Sequence, residues 1–313
     1  MELEEYKKEK YAESHRPPFS VEQQQHPWLV MCDGDVLEKQ TFFSVSKNQY
    51  YMRRIPELKE KIIRAYADEW LVLESLHSSD CYLWNIISND KIQLPPLPEC
   101  KILNCALLSA PPNDPECQDV NPPTFYFCKP GYNEEFHKQD AHSIIETESG
   151  GLWTTSRLLC LDPDNDSGRI TITPMSNESP NVRKYLDMGR LLNCIIQSCD
   201  DDTLLYVHLF FNGKNHRMPY NFLVFQFDFA KERWIETENI GEIAIFISHY
   251  TRTGTSCSTR GTNLNKESIY FIEDRHLYVY NLITHSISLS LPCPHVSKKA
   301  SHMHWLPLPS QKK

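Results

Sequence analysis

From Pro27 onward the chain is written in short apolar runs separated by turn residues. WLVLES, CYLWNI, TFYFCKP, RITITP, TLLYVHLFF, FLVFQFDF, IAIFIS, SIYFIE and LYVYNL are rich in Val, Ile, Tyr, Phe and Trp. Such residues suit a pleated, half-buried surface, so the pattern predicts many short strands. Only Glu57–Tyr66 and Val182–Asn193 tempt toward helix, and neither carries a long apolar stripe at helical spacing. Residues 1–26 differ in kind: they are polar and hold too few apolar side chains to offset ordering entropy. They are expected to form a weakly ordered tail, as are residues 310–313.

One phrase recurs. Trp84-Asn85-Ile86 precedes the polar pair Asn89-Asp90 and then Ile92. Phe227-Asp228-Phe229 precedes Lys231-Glu232 and Trp234, and Tyr280-Asn281-Leu282 precedes Thr284-His285 and Ile287. Each is an aromatic, an Asn or Asp, an apolar residue, a polar turn and a return strand. The Asn or Asp can bond the backbone of the turn, and the aromatic offers a face to a neighbouring sheet. The units run roughly 35 to 55 residues, a propeller-blade period.

Counting units gives Lys61–Pro98, Cys100–Asp140, Ala141–Met175, Met188–Ile240 and Glu242–Pro292. In the second of these, Gln118-Asp119-Val120 is too polar for a good strand. Pro27–Leu58 supplies only three strands, and His302–Pro309 is an orphan at the other end. Joining them completes a ring and hides sheet edges. The expected fold is all-β: one β-propeller over residues 27–309, of six four-stranded blades, closed by pairing of N- and C-terminal strands. Five and seven are the neighbouring counts.

The runs PWLVM, FFSVSKNQYY, RIPEL, WLVLES, CYLWNIISNDKIQLPPLP, TFYFCKPG, FLVFQFDFAKERWIE, IAIFIS and SIYFIEDRHLYVYNL, in this order, resemble the plant F-box-associated β-propeller family of KIB type. The resemblance covers Pro27 to Pro309. It implies a propeller that recognises protein substrates for cullin-based ubiquitin ligases. Members commonly carry an F-box ahead of the propeller. Residues 1–26 lack the Leu-Pro and apolar helical spacing by which an F-box packs on its adaptor, so the adaptor contact is not implied by these residues.

Composition narrows the class. The 313 residues carry a formal charge of −9, which disfavours nucleic acid as the main partner. No apolar run is long enough for a membrane span, and the charged start is no secretory signal. Eleven cysteines without a CxxC pair fit a reducing compartment, cytoplasmic or nuclear. Cys81, Cys105, Cys128, Cys160 and Cys194 lie in apolar strands, where they act as small hydrophobes.

Candidate chemistry is sparse. Asp162–Gly168 begins like a calcium loop, but its glycine is one place late and Thr173 stands where Glu belongs, so a hairpin turn is expected. His302 and His304 share one side of a strand without an identifiable third ligand. Thr251–Asn263 is rich in Gly, Ser and Thr with Arg252 and Arg260, and reads as a long connection. No cofactor or metal is expected. Neither a nucleophile elbow nor a dinucleotide fingerprint is present. The leading expectation is a non-enzymatic module binding an unknown protein partner. A small basic patch of Lys214, His216 and Arg217 would serve it on one face, with Arg252 and Arg260 on the other. The alternative is a hydrolase-like enzyme with a site at the propeller mouth.

Overall fold

The computed structural model describes residues 27–67, 69–78, 80–94, 107–108, 119–120, 124–127, 137–140, 159–164, 169–174, 190–199, 203–211, 218–248, 253–273, 276–290 and 302–306. They form twenty-three strands: β1 Trp28–Asp33, β2 Lys39–Ser44, β3 Gln49–Arg53, β4 Lys61–Ala67, β5 Trp70–Ser75, β6 Cys81–Asn85, β7 Lys91–Gln93, β8 Leu107–Leu108, β9 Asp119–Val120, β10 Thr124–Phe127, β11 His137–Asp140, β12 Leu159–Asp164, β13 Arg169–Pro174, β14 Arg190–Gln197, β15 Leu204–Phe211, β16 Pro219–Asp228, β17 Arg233–Thr237, β18 Ile243–Ser248, β19 Thr253–Ser258, β20 Ser268–Glu273, β21 His276–Asn281, β22 Ser286–Leu289 and β23 His302–Leu306. Among the described residues the one helical turn is 3₁₀, Pro56–Leu58, and none is long and apolar enough to cross a membrane. Glu57–Tyr66 thus becomes a short turn followed by strand. Of Val182–Asn193, the described part from Arg190 is also strand.

Four sheets are complete, and they are the blades of a β-propeller: blade I is β23-β1-β2-β3, blade II β4-β5-β6-β7, blade III β14-β15-β16-β17 and blade IV β19-β18-β20-β21-β22. The expected six four-stranded blades are therefore corrected to four among the described residues. Between blades II and III stand three two-stranded ladders, β8-β9, β10-β11 and β12-β13. Of the polar stretch Gln118-Asp119-Val120, the described part is β9, Asp119–Val120, and Gln118 lies outside the described residues.

Blade IV departs from the expected plan. TGTSCS, read as part of a connection, is β19 and pairs antiparallel with β18 from Ile243↔Ser258 to Ser248↔Thr253. β18 then pairs parallel with β20. Both β18 (IAIFIS) and β20 (SIYFIE) are buried at every residue, as strands covered on both faces are.

The ring closes as the orphan end suggested. β23 pairs antiparallel with β1 from Trp28↔Leu306 to Cys32↔His302. Trp305 is buried and its indole Nε1 donates to the Ile247 carbonyl at 3.1 Å, while Ser248 Oγ donates to the Met303 carbonyl at 3.2 Å. Closure thus reaches into blade IV. An apolar seam of Leu29, Met31, Phe43, Phe246, Tyr270 and Trp305 runs between blades IV and I.

Deleting residues 301–313 is expected to expose β1 as an edge and abolish cooperative melting. Trp305→Ala, a milder probe, should cost about 3–5 kcal/mol. Denaturant unfolding checks both; a truncated chain that melts like the intact one would refute the closure argument.

Candidate functional site

The repeated phrase builds one turn many times. Asn85 Oδ1 accepts from the backbone of Ile87 and Ser88 at 2.9 and 2.8 Å. Asp228 Oδ1 accepts from Ala230 and Lys231, both at 3.1 Å, and Asn281 Oδ1 from Ile283 and Thr284 at 3.0 and 2.8 Å. The fourth residue onward has positive φ each time: Asn89 at 64°, Glu232 at 50° and His285 at 51°. Trp84, Phe227 and Tyr280 are all buried, as equivalent positions should be. Two use a polar tip on the turn: Trp84 Nε1 donates to Asn89 Oδ1 at 2.8 Å, and Tyr280 Oη lies 3.0 Å from His285 Nδ1.

Blade I holds a fourth copy that the sequence reading missed. Phe43-Ser44-Val45 is followed by Asn48 at φ 53°, and Ser44 Oγ accepts from the Lys47 backbone at 3.3 Å. Serine replaces the Asn or Asp, and a hydroxyl can close the same turn. The missed signal was the spacing from aromatic to turn.

The ends of the blades sort the loops. Ile196 of β14 meets Gly254 of β19, and Ser256 Oγ donates to the Gln197 carbonyl at 2.9 Å, so these inner strands run in the same sense. The connection 212–217 leaves between partners Arg190↔Phe211 and Phe211↔Pro219, at the start of β14. The connection 249–252 leaves between Ser248 and Thr253, at the start of β19. The strand ends Phe211 and Pro219 and the strand ends Ser248 and Thr253 therefore lie toward one face. The turn of Thr284 and His285 lies on the other, with 259–267: the backbone of Leu282 donates to Glu267 at 3.0 Å and that of Thr259 to Glu242 at 2.8 Å.

This corrects the expected grouping. Arg252 and Arg260 were placed together in one connection, but the segment between them is the strand β19, whose two ends lie at opposite faces. Lys214, His216, Arg217 and Arg252 themselves lie outside the described residues. Arg260 is exposed in a turn, its backbone donating to Ser258 Oγ at 3.4 Å. Of the calcium-like stretch, Asp162–Asp164 belongs to β12, and the ladder runs to Asp164↔Arg169, which leaves 165–168 as the hairpin connection outside the described residues. His304 is buried in β23, and the side chain of His302 is not described. Among the described residues no group of three or more His, Cys, Asp or Glu could hold a metal ion.

The inner strands meet through small and aromatic residues. Tyr66 Oη of β4 donates to the Gly254 carbonyl at 3.0 Å, and burial raises the phenol pKa above its ordinary value. A Cβ on Gly254 would stand 2.6 Å from Ile196 Cδ1 and 3.1 Å from the Phe246 carbonyl, so glycine lets these strands approach. Cys81 and Cys194 are buried, as read from their strands, and burial pushes the Cys32 thiol up to about 12, so it stays protonated. Cys105, Cys128 and Cys160 carry no described side chains.

One buried imidazole went unnoticed in the sequence. His208 of β15 sits between Tyr206 and Phe225, with ring centroids at 4.6 and 5.6 Å. Neither ring nitrogen has a hydrogen-bond partner among the described residues. Desolvation lowers its pKa to about 4, so it is neutral at pH 7. It reads from sequence as an ordinary apolar position of TLLYVHLFF.

With this geometry in place, kinship can be judged. Four complete sheets, closed through the chain ends and carrying the same capped turn, define a β-propeller scaffold. The chain matches the KIB1-4 beta-propeller family over residues 42–281, more than half its length, and belongs to that family. No curated protein matches it. Among solved structures, "Kluyveromyces lactis Hsv2 complete loop 6CD" aligns at 9% identity over 83% of this chain and 94% of that chain, with a TM-score of 0.32.

Two outcomes follow. Gly254→Ala is expected to destabilise by about 1–3 kcal/mol through overpacking. Ile196→Ala in the same chain should recover part of the loss, and a double-mutant cycle reads the coupling. His208 takes a proton near pH 6.5 when unfolded and only near pH 4 when folded. Its neutral burial is therefore without penalty above pH 6.5 and costs progressively more as pH falls to about 4. At pH 5 this amounts to about 2 kcal/mol of lost stability. Urea unfolding of His208→Phe should show a shallower loss between pH 7 and pH 5 than the parent; identical slopes would refute it.

Proposed function

We propose that this chain is a non-catalytic protein-interaction module, whose loops recognise a protein partner by shape and charge. The observation that carries the reading is membership of the KIB1-4 propeller family over residues 42–281, on a scaffold whose turns are locked by repeated side-chain caps. Rigid sheets with loops at their ends are a common platform for binding. In the plant setting implied by the KIB-type resemblance, the module selects substrates for a cullin-based ubiquitin ligase pathway, in the cytoplasm or nucleus. The adaptor contact would be supplied otherwise than by residues 1–26.

The basic connection 212–217, with Lys214, His216 and Arg217, is proposed to capture an acidic segment of the partner. Arg252 is proposed to join it, because the strand ends that bound the two connections lie toward one face. On a chain of net charge −9 such a patch acts mainly by steering. Arg260 belongs to the opposite face and is the internal comparison.

Lys214→Glu with Arg217→Glu is expected to lower partner capture at least several-fold and to flatten its salt dependence, with melting unchanged. Arg252→Glu should add to that effect, and Arg260→Glu should not. Affinity capture from plant tissue, scored for cullin adaptor and for proteins lost in the variant, checks this. Equal capture by all variants would place recognition elsewhere.

A further inference from the structure

The outer strand of blade I differs from the outer strands of the other three. β7 has three residues, and β7, β17 and β22 each keep at least one half-buried residue. In β3 every residue is exposed, and Tyr50, Tyr51 and Met52 are adjacent, at 44%, 38% and 60% exposure. The two tyrosines lean on opposite faces of the sheet. Tyr50 packs on Phe43 at 4.5 Å between centroids, and Tyr51 meets Trp28 edge-on at 5.2 Å. One edge of β3 is held by β2, from Gln40↔Arg53 to Ser44↔Gln49; among the described residues no strand pairs with the other.

Charge singles out the end of the same strand. Arg53 and Arg54 are exposed, and neither makes an ion pair among the described residues; Arg53 Nη1 donates only to the Met52 carbonyl at 3.3 Å. Continuing the register past Gln40↔Arg53 sets Arg54 across from exposed Lys39. Like charges facing each other across a ladder oppose folding. Asp33 stands opposite Lys39 in the β1–β2 ladder, and no ion pair joins Asp33 or Glu38 to either arginine among the described residues. Arg53 and Arg54 thus stand together at the tip of an apolar edge, on an acidic protein. Tyr, Met and Arg are the residues enriched in the cores of protein interfaces.

We infer that the free edge of β3 binds an extended, acidic segment of a partner protein by strand addition. The added backbone extends the sheet, alternate apolar side chains lie against Tyr50 with Met52 and against Tyr51, and carboxylates meet Arg53 and Arg54. This shares with the preceding reading the premise that the propeller binds protein, but uses the rim of blade I and no residue of the 212–217 connection.

The probe is a labelled peptide of alternating Glu and Val, with alternating Lys and Val as its counterpart. Anisotropy should show binding of the acidic peptide alone, weakened at least tenfold in 0.5 M salt as ion pairs are screened. Hydrogen exchange should slow in residues 49–53 on binding. Arg53→Glu with Arg54→Glu should weaken the acidic peptide at least tenfold, while Arg260→Glu leaves it unchanged. No binding, binding without protection of 49–53, or equal binding of both peptides overturns the inference. So does concentration-dependent protection of 49–53 without peptide, which would make a second copy of this chain the occupant. The salt response and protection map of the unaltered protein decide the matter even where the charge-reversed chain folds poorly.

Discussion

Pairing of the two chain ends is the constraint on which the remaining structure depends. β1 carries β2 and β3 on one side and needs β23 on the other, more than two hundred and sixty residues away in sequence. Closing so long a loop costs entropy before any contact forms. The return is a buried strand edge and a tryptophan seated in blade IV, with its indole N–H satisfied by Ile247. Without that contact, blade I would be a three-stranded sheet with its Leu29 and Phe43 face turned to water. Among the described residues, the seams between blades I and II, III and IV, and IV and I are each apolar on both sides.

Within the ring, work is divided between the two ends of each blade. Caps from Ser44, Asn85, Asp228 and Asn281 fix one set of turns and leave little freedom there. Inner strands are fixed differently, by small residues that let backbones approach and by Tyr66 reaching Gly254. A scaffold held at its hub and at one rim is suited to present the connections on the other rim, and the outermost strands, without itself deforming.

Much of this was legible in the residues. Aromatic, Asn or Asp, apolar, turn: that order announced three of the four capped turns, since it is local chemistry acting over five or six residues. It failed at Ser44 because a hydroxyl can do what an amide does, and the reading required Asn or Asp. The orphan HMHWLPLP was correctly matched to the three-stranded beginning, because an unpaired apolar strand needs a partner. Strand TGTSCS was taken for a connection, since Gly, Ser and Thr are also what connections are made of.

The sequence by itself determined the class of fold, the closure, the capped turns and the burial of Trp84, Phe227 and Tyr280, all consequences of local pattern or of edges that must be covered. Tertiary structure decided the place of β19 at the hub, where crowding makes glycine an asset. It also decided the separation of Arg252 from Arg260, the buried aromatic setting of His208 and the exposure of Tyr50, Tyr51 and Met52. These depend on which strand lies beside which, and a period-two pattern fixes a strand's faces without naming its neighbours.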